Sequence, residues 1–105
     1  MSPKAWANFT QSGSQSLSQS SGVSSITDLG TGLSRLTWST AFTATTYGYT
    51  VGQLDPGAQR GAWMGRNQGS TKATTTLDIN CTVFNDSNFG SADSTDATVV
   101  AFGAQ

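Results

Sequence analysis

The feature that most constrains the fold of this chain is a long alternation of residue types over positions 72–84. One set of alternate positions holds apolar or small side chains, namely Ala73, Thr75, Leu77, Ile79, Cys81 and Val83. The positions between them hold Lys72, Thr74, Thr76, Asp78, Asn80 and Thr82. A period of two residues is typical of a β-strand with one face toward a core and one toward water. The pattern therefore predicts a long strand in which Cys81 is a buried structural thiol and Asp78 lies on the wet face.

The composition favours β structure throughout the chain. Ser and Thr supply 31 of the 105 residues, Glu is absent, and Ala is the only strong helix former that is plentiful. Thr is β-branched and suits a pleated strand, and the 12 glycines are spread along the chain where turns are needed. A chain of this length is expected to form one domain, so residues 1–105 are predicted to make a single all-β domain.

Periodicity and turn residues predict about eight strands in all. The other seven are predicted over residues 3–9, 10–21, 22–28, 33–42, 46–54, 60–66 and 98–102. The second of these contains Gly13 as a hairpin turn, with a flexible Gly/Ser segment as the alternative. Turns are expected at 55–57 and 67–70, and a polar loop over 85–95. This arrangement is typical of an antiparallel β-sandwich or a jelly-roll-like domain.

Some of these strands carry specific packing expectations. The side chains expected to point inward are Val23, Ile26, Leu36, Trp38 and Phe42. Gly48 and Gly52 alternate with Tyr47, Tyr49 and Val51 in the strand predicted over 46–54. Glycines opposite an aromatic stripe indicate that another backbone or ring packs closely there.

The apolar content is low for a core that is complete within one chain. Leu, Ile, Val and Phe number 18 of the 105 residues, whereas the net charge is −1 and there are ten aromatic side chains to bury. A core of this size folds with little margin. Sharing the core with copies of the same chain would add burial, so we expect an oligomer.

Charge and residue types exclude several functions. Five Lys and Arg against six Asp leave no basic patch for nucleic acid, and no stretch is polybasic, amphipathic or apolar enough for a membrane or a secretory signal. The chain has no His and no Glu, which removes the commonest general base and most zinc sites. We therefore expect no catalytic residues, no enzymatic activity, no metal and no cofactor. The oxygen-rich stretch from Asp86 to Asp96 leaves calcium as an alternative to a plain polar loop.

One cluster of residues around the middle turns is a candidate contact surface. It consists of Arg60, Trp63, Arg66 and Asn67, with Lys72 close by in the sequence. Aromatic, guanidinium and amide groups together favour a sugar or a protein partner. The alternative is that Trp63 belongs to the core and that the charges keep the surface soluble.

Several short stretches together form a recognisable pattern. They are Lys-Ala-Trp-Ala-Asn-Phe at residues 4–9, Val-Ser-Ser-Ile-Thr-Asp-x-Gly-Thr-Gly at 23–32, Thr-Ala-Phe at 40–42, and Val-Val-Ala-Phe-Gly at 99–103. This pattern resembles a small β domain of tailed bacteriophages, found at tail-fibre tips and in short virion surface proteins. It spans nearly the whole chain and is loose over 55–95. The motif positions with structural roles are Trp6, Phe9, Ile26, Asp28, Gly30, Gly32 and Phe42. Among them, Asp28 favours a turn and the two glycines tolerate positive φ.

The resemblance implies a trimeric, non-enzymatic structural part of a virion that is made in the host cytoplasm and lies on the virion surface. The motif begins three residues after Met1, without the shaft that precedes a fibre tip. The chain is therefore expected to be a knob that decorates the capsid or tail. Its expected partners are itself and a major capsid protein or tail protein. A receptor-binding tip for a host-surface glycan or protein is one alternative, and a free carbohydrate-binding module is another.

Overall fold

The computed structural model describes residues 2–53, 61–66, 72–85 and 88–105, with side chains over 2–53, 72–82 and 90–105. These residues form strands and no helix, which confirms the all-β prediction. The strands are β1 Ala5–Thr10, β2 Ser16–Ser21, β3 Val23–Gly30, β4 Leu33–Trp38, β5 Gly48–Gln53, β6 Gly61–Arg66, β7 Thr76–Asn85, β8 Asn88–Ser91 and β9 Ala97–Phe102. One strand more than expected, β8, lies in the stretch predicted to be a polar loop. The turns predicted at 55–57 and 67–70 fall outside the described residues.

The strands form two antiparallel sheets. One has the order β2-β1-β9-β5, and the other has the order β3-β4-β7-β6, with β8 pairing with the last residues of β7. Both sheets contribute to one buried core, which contains Ala5, Ala7, Phe9, Val23, Leu36, Trp38, Phe42, Tyr47, Leu77, Ile79, Cys81, Ala97, Val99 and Ala101. The architecture is sandwich-like because the two sheets share this apolar layer.

The inner face of the long strand β7 confirms the alternation read from the sequence. Leu77, Ile79 and Cys81 are completely buried. The strand begins at Thr76, so the predicted start at residue 72 is wrong. Asp78 lies on the opposite face, as predicted, but it is only 5 % exposed, so the expectation that water surrounds it is wrong. Its two carboxylate oxygens accept hydrogen bonds from Arg35 at 2.8 and 3.1 Å, and this two-point contact replaces much of the water around the carboxylate.

The strand predicted over residues 33–42 ends early, at Trp38. After that point the backbone leaves the β-ladder and forms loop hydrogen bonds. Ser39 N–H donates to Gly22 O, and Phe42 N–H donates to Thr74 O. Phe42 is nevertheless 2 % exposed. Its burial comes from the loop that follows β4, so the prediction that it shares a strand face with Leu36 and Trp38 is wrong.

The strands β2 and β3, at one edge of each sheet, carry bulges. In β2, residues 17 and 19 face consecutive residues of β1, so Ser18 is the additional residue. In β3, Ser24 and Leu29 are additional residues in the pairing with β4. The additional residue Ser24 explains how Val23 and Ile26, which are three positions apart in the sequence, both contact the core. Bulges also disrupt the regular edge that another strand would need for pairing.

The motif at 28–32 builds the hairpin between β3 and β4. Asp28 accepts a hydrogen bond from Gly30 N–H at 2.9 Å, and Gly30 pairs with Leu33 across the turn. Gly30 and Gly32 have φ of 139° and 72°, which confirms the expected positive values. Gly32 also connects the hairpin to the rest of the fold, since its N–H donates to Asp93 and its carbonyl accepts from Cys81 N–H.

A buried polar group that the sequence pattern did not predict lies at the same end of the molecule as this hairpin. Gln11 is 1 % exposed. Its amide donates to Ser34 Oγ at 2.7 Å and accepts from Ser94 N–H at 2.9 Å, and Ser34 in turn donates to Gln15. These bonds satisfy polar groups that would be costly to bury alone, and they connect β4 to the segments that follow β1 and precede β9.

Candidate functional site

The outer side of the four-stranded sheet carries large apolar side chains, in addition to those on its inner side. Its two middle strands point small residues toward the core, and four of the six inward positions are Ala5, Ala7, Ala97 and Ala101. The outward positions of these strands hold Trp6, Asn8, Thr10, Thr98, Val100 and Phe102. Trp6 is 38 % exposed, and Val100 and Phe102 are half-buried. The solvent-facing side of an antiparallel sheet is usually polar, so this side, hereafter the outer face, is a candidate site.

The strand register places these apolar side chains next to one another. Trp6 lies opposite Val100, and Val100 lies opposite Thr50 on the next strand. Phe102 lies opposite Gly48. A Cβ atom at Gly48 would meet nothing within 4 Å, and one at Gly52 would meet only Thr98 Oγ1 at 3.4 Å. The prediction that other groups pack closely on these glycines is therefore wrong for the described residues, and the glycines leave the outer face open.

A cavity of about 320 Å³ opens at one end of the outer face. It is lined by Thr43, Ala44, Thr46, Tyr47, Gly48, Phe102, Gly103 and Ala104. This lining combines aromatic rings, threonines and backbone, and it contains no ionisable group other than the Tyr47 phenol. A volume near 300 Å³ is at the lower end of the range for sites that hold small molecules.

An aromatic cluster beneath the cavity holds its wall in place. Tyr47 stacks on Phe42 with ring centroids 4.1 Å apart, and Trp38 meets both rings edge-on. The Tyr47 hydroxyl accepts a hydrogen bond from Trp38 Nε1 at 3.2 Å and donates one to Ala73 O at 2.9 Å. Burial raises the pKa of this phenol. Lys72 Nζ donates to Tyr47 O and lies 4.6 Å from the centre of its ring.

Removing the Tyr47 hydroxyl should destabilise this cluster. We expect Tyr47→Phe to lower the free energy of unfolding by about 1–3 kcal/mol, because the buried Trp38 N–H loses its acceptor. Tyr49→Phe is the matched control, since the Tyr49 ring is half-buried and a smaller loss is expected there. Urea denaturation followed by circular dichroism measures both. Equal losses in the two variants would contradict the role given to the Trp38 contact.

Cys81 has the properties of a structural thiol. It is completely buried, and burial raises the pKa of its thiol from 9.0 to about 12. We expect iodoacetamide to label the native protein at pH 8 only as fast as it unfolds. The unfolded thiol ionises near 9.0 and the folded one near 12, so this group should lower the free energy of unfolding as the pH rises from about 9 to about 12. Rapid labelling of the native protein would contradict this assignment.

The outer side of the second sheet differs from the outer face. Arg35 and Asp78 lie directly opposite each other there and form an ion pair at 2.8 Å. The side-chain contact with Asp78 also raises the pKa of the Arg35 guanidinium. Thr27, next to Arg35 in the register, is exposed. Arg35 and Thr27 are thus exposed polar side chains on this side, suited to contact with water.

The structure describes only two of the four residues predicted as contacts. Arg60 and Asn67 fall outside the described residues. Trp63 and Arg66 belong to β6 in the other sheet, where the backbone register pairs them with Thr82 and Ile79. The structure thus leaves this predicted surface untested.

The motif residues lie in three different settings. Trp6 is exposed on the outer face, whereas Phe9 and Phe42 are buried in the core. Ile26 packs against the core from β3, and Asp28, Gly30 and Gly32 form the hairpin already described. Sequence reasoning missed Val100, Phe102 and Gly48 as neighbours of Trp6. The sequence did contain a signal for this arrangement. Ala97, Val99 and Ala101 alternate with side chains of equal or greater size, which shows that both sides of the strand carry apolar groups.

The described residues contain no metal-ligand cluster, and comparisons with known proteins point to no further site. Within the described ranges no three His, Cys or Asp side chains cluster as metal ligands would, and the acidic residues Asp93 and Asp96 accept hydrogen bonds from Gly32 and Asn8. That part of the chain also contains no helix able to span a membrane. No protein-family model, curated protein or solved structure matches the chain.

Proposed function

We propose that this chain is a non-enzymatic structural protein of a tailed-bacteriophage virion, a homotrimeric knob that decorates the capsid or tail. Two lines of support lead there. The sequence resembles small β domains of such virions, and the motif at 28–32 has a structural explanation in the β3–β4 hairpin. We further propose that the sandwich-like fold has a jelly-roll-like topology, as expected for such a knob.

The observation that carries the proposal is the arrangement of β1 and β9. These strands bury four alanines beside Phe9 and Val99, and their opposite side carries Trp6, which is exposed, and Val100 and Phe102, which are half-buried. A protein that acted alone in water would gain more by burying the larger groups. The arrangement supports a chain whose burial is completed by assembly, as in a building block of a larger particle.

Particle association is the direct test of the virion role. We expect antibodies against this protein to label purified virions in electron micrographs, at regular positions on the head or tail. Cross-linking of intact particles followed by mass spectrometry should then connect it to a major capsid protein or a tail protein. Recovery of the protein exclusively from the particle-free fraction would overturn the proposal.

Recognition of a host-surface glycan is a second candidate function, and the cavity beside Phe102 favours it. Its ring, threonine and backbone lining is suited to a neutral sugar. Gly48→Leu would fill the cavity without a clash at Cβ, and Gly90→Leu is the matched control because its Cβ also meets nothing within 4 Å. On a glycan array, binding that Gly48→Leu abolishes and Gly90→Leu retains would support this function. An absence of binding by the unmodified protein would remove it.

The surface predicted around Trp63 needs its own variants. If it binds the receptor, Trp63→Ala and Asn67→Ala should each reduce attachment of the labelled protein to host cells. Sugar binding without any particle association would instead identify a free carbohydrate-binding module.

A further inference from the structure

We infer that the outer face binds a neutral oligosaccharide, one sugar unit of which occupies the cavity beside Phe102 while the next units lie across Trp6. The inference rests on the second candidate function, glycan recognition, and deepens it. It extends the site from the cavity onto an exposed tryptophan, so longer sugars should bind better than single ones.

Trp6 is suited to hold a sugar ring. It is one of two large apolar side chains in the described structure that remain well exposed. One face of a sugar ring consists of C–H groups, and an indole offers a flat, rigid and amphipathic surface on which such a face packs. Trp6 lies between Ser21 on β2 and Val100 on β9, so its ring is inside the sheet face and not at a sheet edge.

The side chains around Trp6 can form hydrogen bonds with sugar hydroxyls. Asn8 follows two residues after Trp6 on the same side of β1, and the register places Gln19 and Thr98 on either side of Asn8. Ser21, Gln19 and Thr98 are exposed. Amide and hydroxyl groups supply both donors and acceptors, and each sugar hydroxyl also acts as both. The outer face thus combines an aromatic ring with uncharged polar groups.

The cavity and Trp6 are close enough for one ligand to contact both. Phe102 belongs to the cavity wall and follows two residues after Val100, which lies directly opposite Trp6. Trp6 and Phe102 are therefore diagonal neighbours on paired strands, and such neighbours lie about 7–8 Å apart. Gly48, opposite Phe102, has no side chain, and its Cβ position is open. A short oligosaccharide can therefore extend from the cavity to Trp6.

The charge and the size of the outer face favour a neutral ligand that is much smaller than a protein. The outward positions of its four strands hold no ionisable side chain, and Lys4 and Asp96 lie at its two ends. Four strands of six residues, at about 3.3 Å per residue and 4.8 Å between strands, cover about 400 Å². A stable protein interface covers about 800 Å² on each partner, so a protein would have to extend well beyond this face.

The test compares sugars of increasing length. The probe is an array of immobilised neutral oligosaccharides of bacterial surfaces, each present as the single sugar and as longer chains. We expect the unmodified protein to bind the longer chains at least ~10-fold more tightly than the single sugar, and Trp6→Ala to remove this gain. Leu29→Ala is the matched control, because Leu29 is the other well-exposed large apolar side chain and lies in the β3–β4 hairpin. It should keep the gain.

The outcomes separate this inference from glycan recognition itself. If the unmodified protein binds no sugar of any length, glycan recognition fails and the inference fails with it. Binding that Gly48→Leu abolishes and Trp6→Ala leaves unchanged would keep a glycan in the cavity and overturn the extension to Trp6. A glycan and a second protein cannot both cover Trp6. If Trp6→Ala is lost from virions but binds the longer sugars normally, Trp6 serves assembly and the inference is overturned.

Further variants cover the case in which Trp6→Ala fails to fold. Trp6→Tyr keeps an aromatic ring and should retain most of the gain with length. Thr98→Glu places a charge beside Trp6, and Thr27→Glu places one on the other sheet, at a residue that is also exposed. We expect Thr98→Glu to weaken binding of the longer sugars at least ~10-fold and Thr27→Glu to leave it unchanged. Equal binding by these two variants would contradict the inference.

Discussion

Replacing Gly32 with alanine is expected to lower the free energy of unfolding by about 3–5 kcal/mol. Gly32 has a φ of 72°, and an added Cβ would lie 2.7 Å from Cys81 O and 2.8 Å from Ala92 N. These are backbone atoms that cannot rotate away. In addition, the Gly32 N–H donates a hydrogen bond to Asp93, and the Gly32 carbonyl accepts one from Cys81 N–H. The clash would therefore push the β3–β4 hairpin away from β7.

Gly13→Ala is the control that separates conformation from space. Gly13 has nearly the same φ, 70°, but its Cβ would meet nothing within 4 Å. We expect this variant to lose about 1–2 kcal/mol, the cost of the left-handed backbone alone. Chemical denaturation of both variants measures the difference. Equal losses would show that the contacts of Gly32 with β7 and Ala92 do not contribute.

Replacing Phe9 with alanine is expected to cost about 3–5 kcal/mol. Phe9 is completely buried and is the largest such side chain in the described structure. Its neighbours facing the core in β1 are Ala5 and Ala7, which are too small to fill the resulting space. Because small domains have only about 5–15 kcal/mol of stability, this loss should remove a large part of it and lower the unfolding midpoint markedly.

Phe9→Leu is the conservative control, with an expected loss of about 1 kcal/mol because most of the buried volume is kept. Thermal unfolding followed by circular dichroism compares the two, at a fixed protein concentration because assembly would shift the midpoint. A Phe9→Ala protein as stable as Phe9→Leu would mean that the core around β1 closes over the gap.

The Gly32→Ala and Phe9→Ala variants test two different contributions to the stability of the fold. Gly32 belongs to a turn that joins the hairpin to β7, whereas Phe9 fills the layer between the sheets. The fold needs both because few large side chains are available to stabilise it. The exposed Trp6 on the outer face is the feature that connects this small core to the proposed assembly.

Where one side of a segment was clearly apolar, the sequence predicted the structure well. The inner face of β7 was predicted from Leu77, Ile79 and Cys81, and the hairpin from Asp28 and the glycines that follow it. Both signals are local: a strand's period and a turn's backbone angles depend on neighbouring residues.

Predictions failed where burial depended on distant groups. Phe42 is buried in a loop by Tyr47 and Trp38, and Asp78 is buried by its contact with Arg35 on the neighbouring strand. Gln11 is enclosed by Ser34 and Ser94, at separations of 23 and 83 residues. No period within a single strand contains this information.

By itself, the sequence determined that the chain forms strands, where the β3–β4 turn lies and which side of β7 is buried. The tertiary structure decided which side of β1 and β9 faces the core. Both sides of those strands carry apolar groups, so their periodicity was compatible with either choice. In the folded protein the alanines of β1 and β9 face the second sheet, and Trp6 lies on the opposite side. The space between the sheets, and not the pattern along one strand, determines which side is buried.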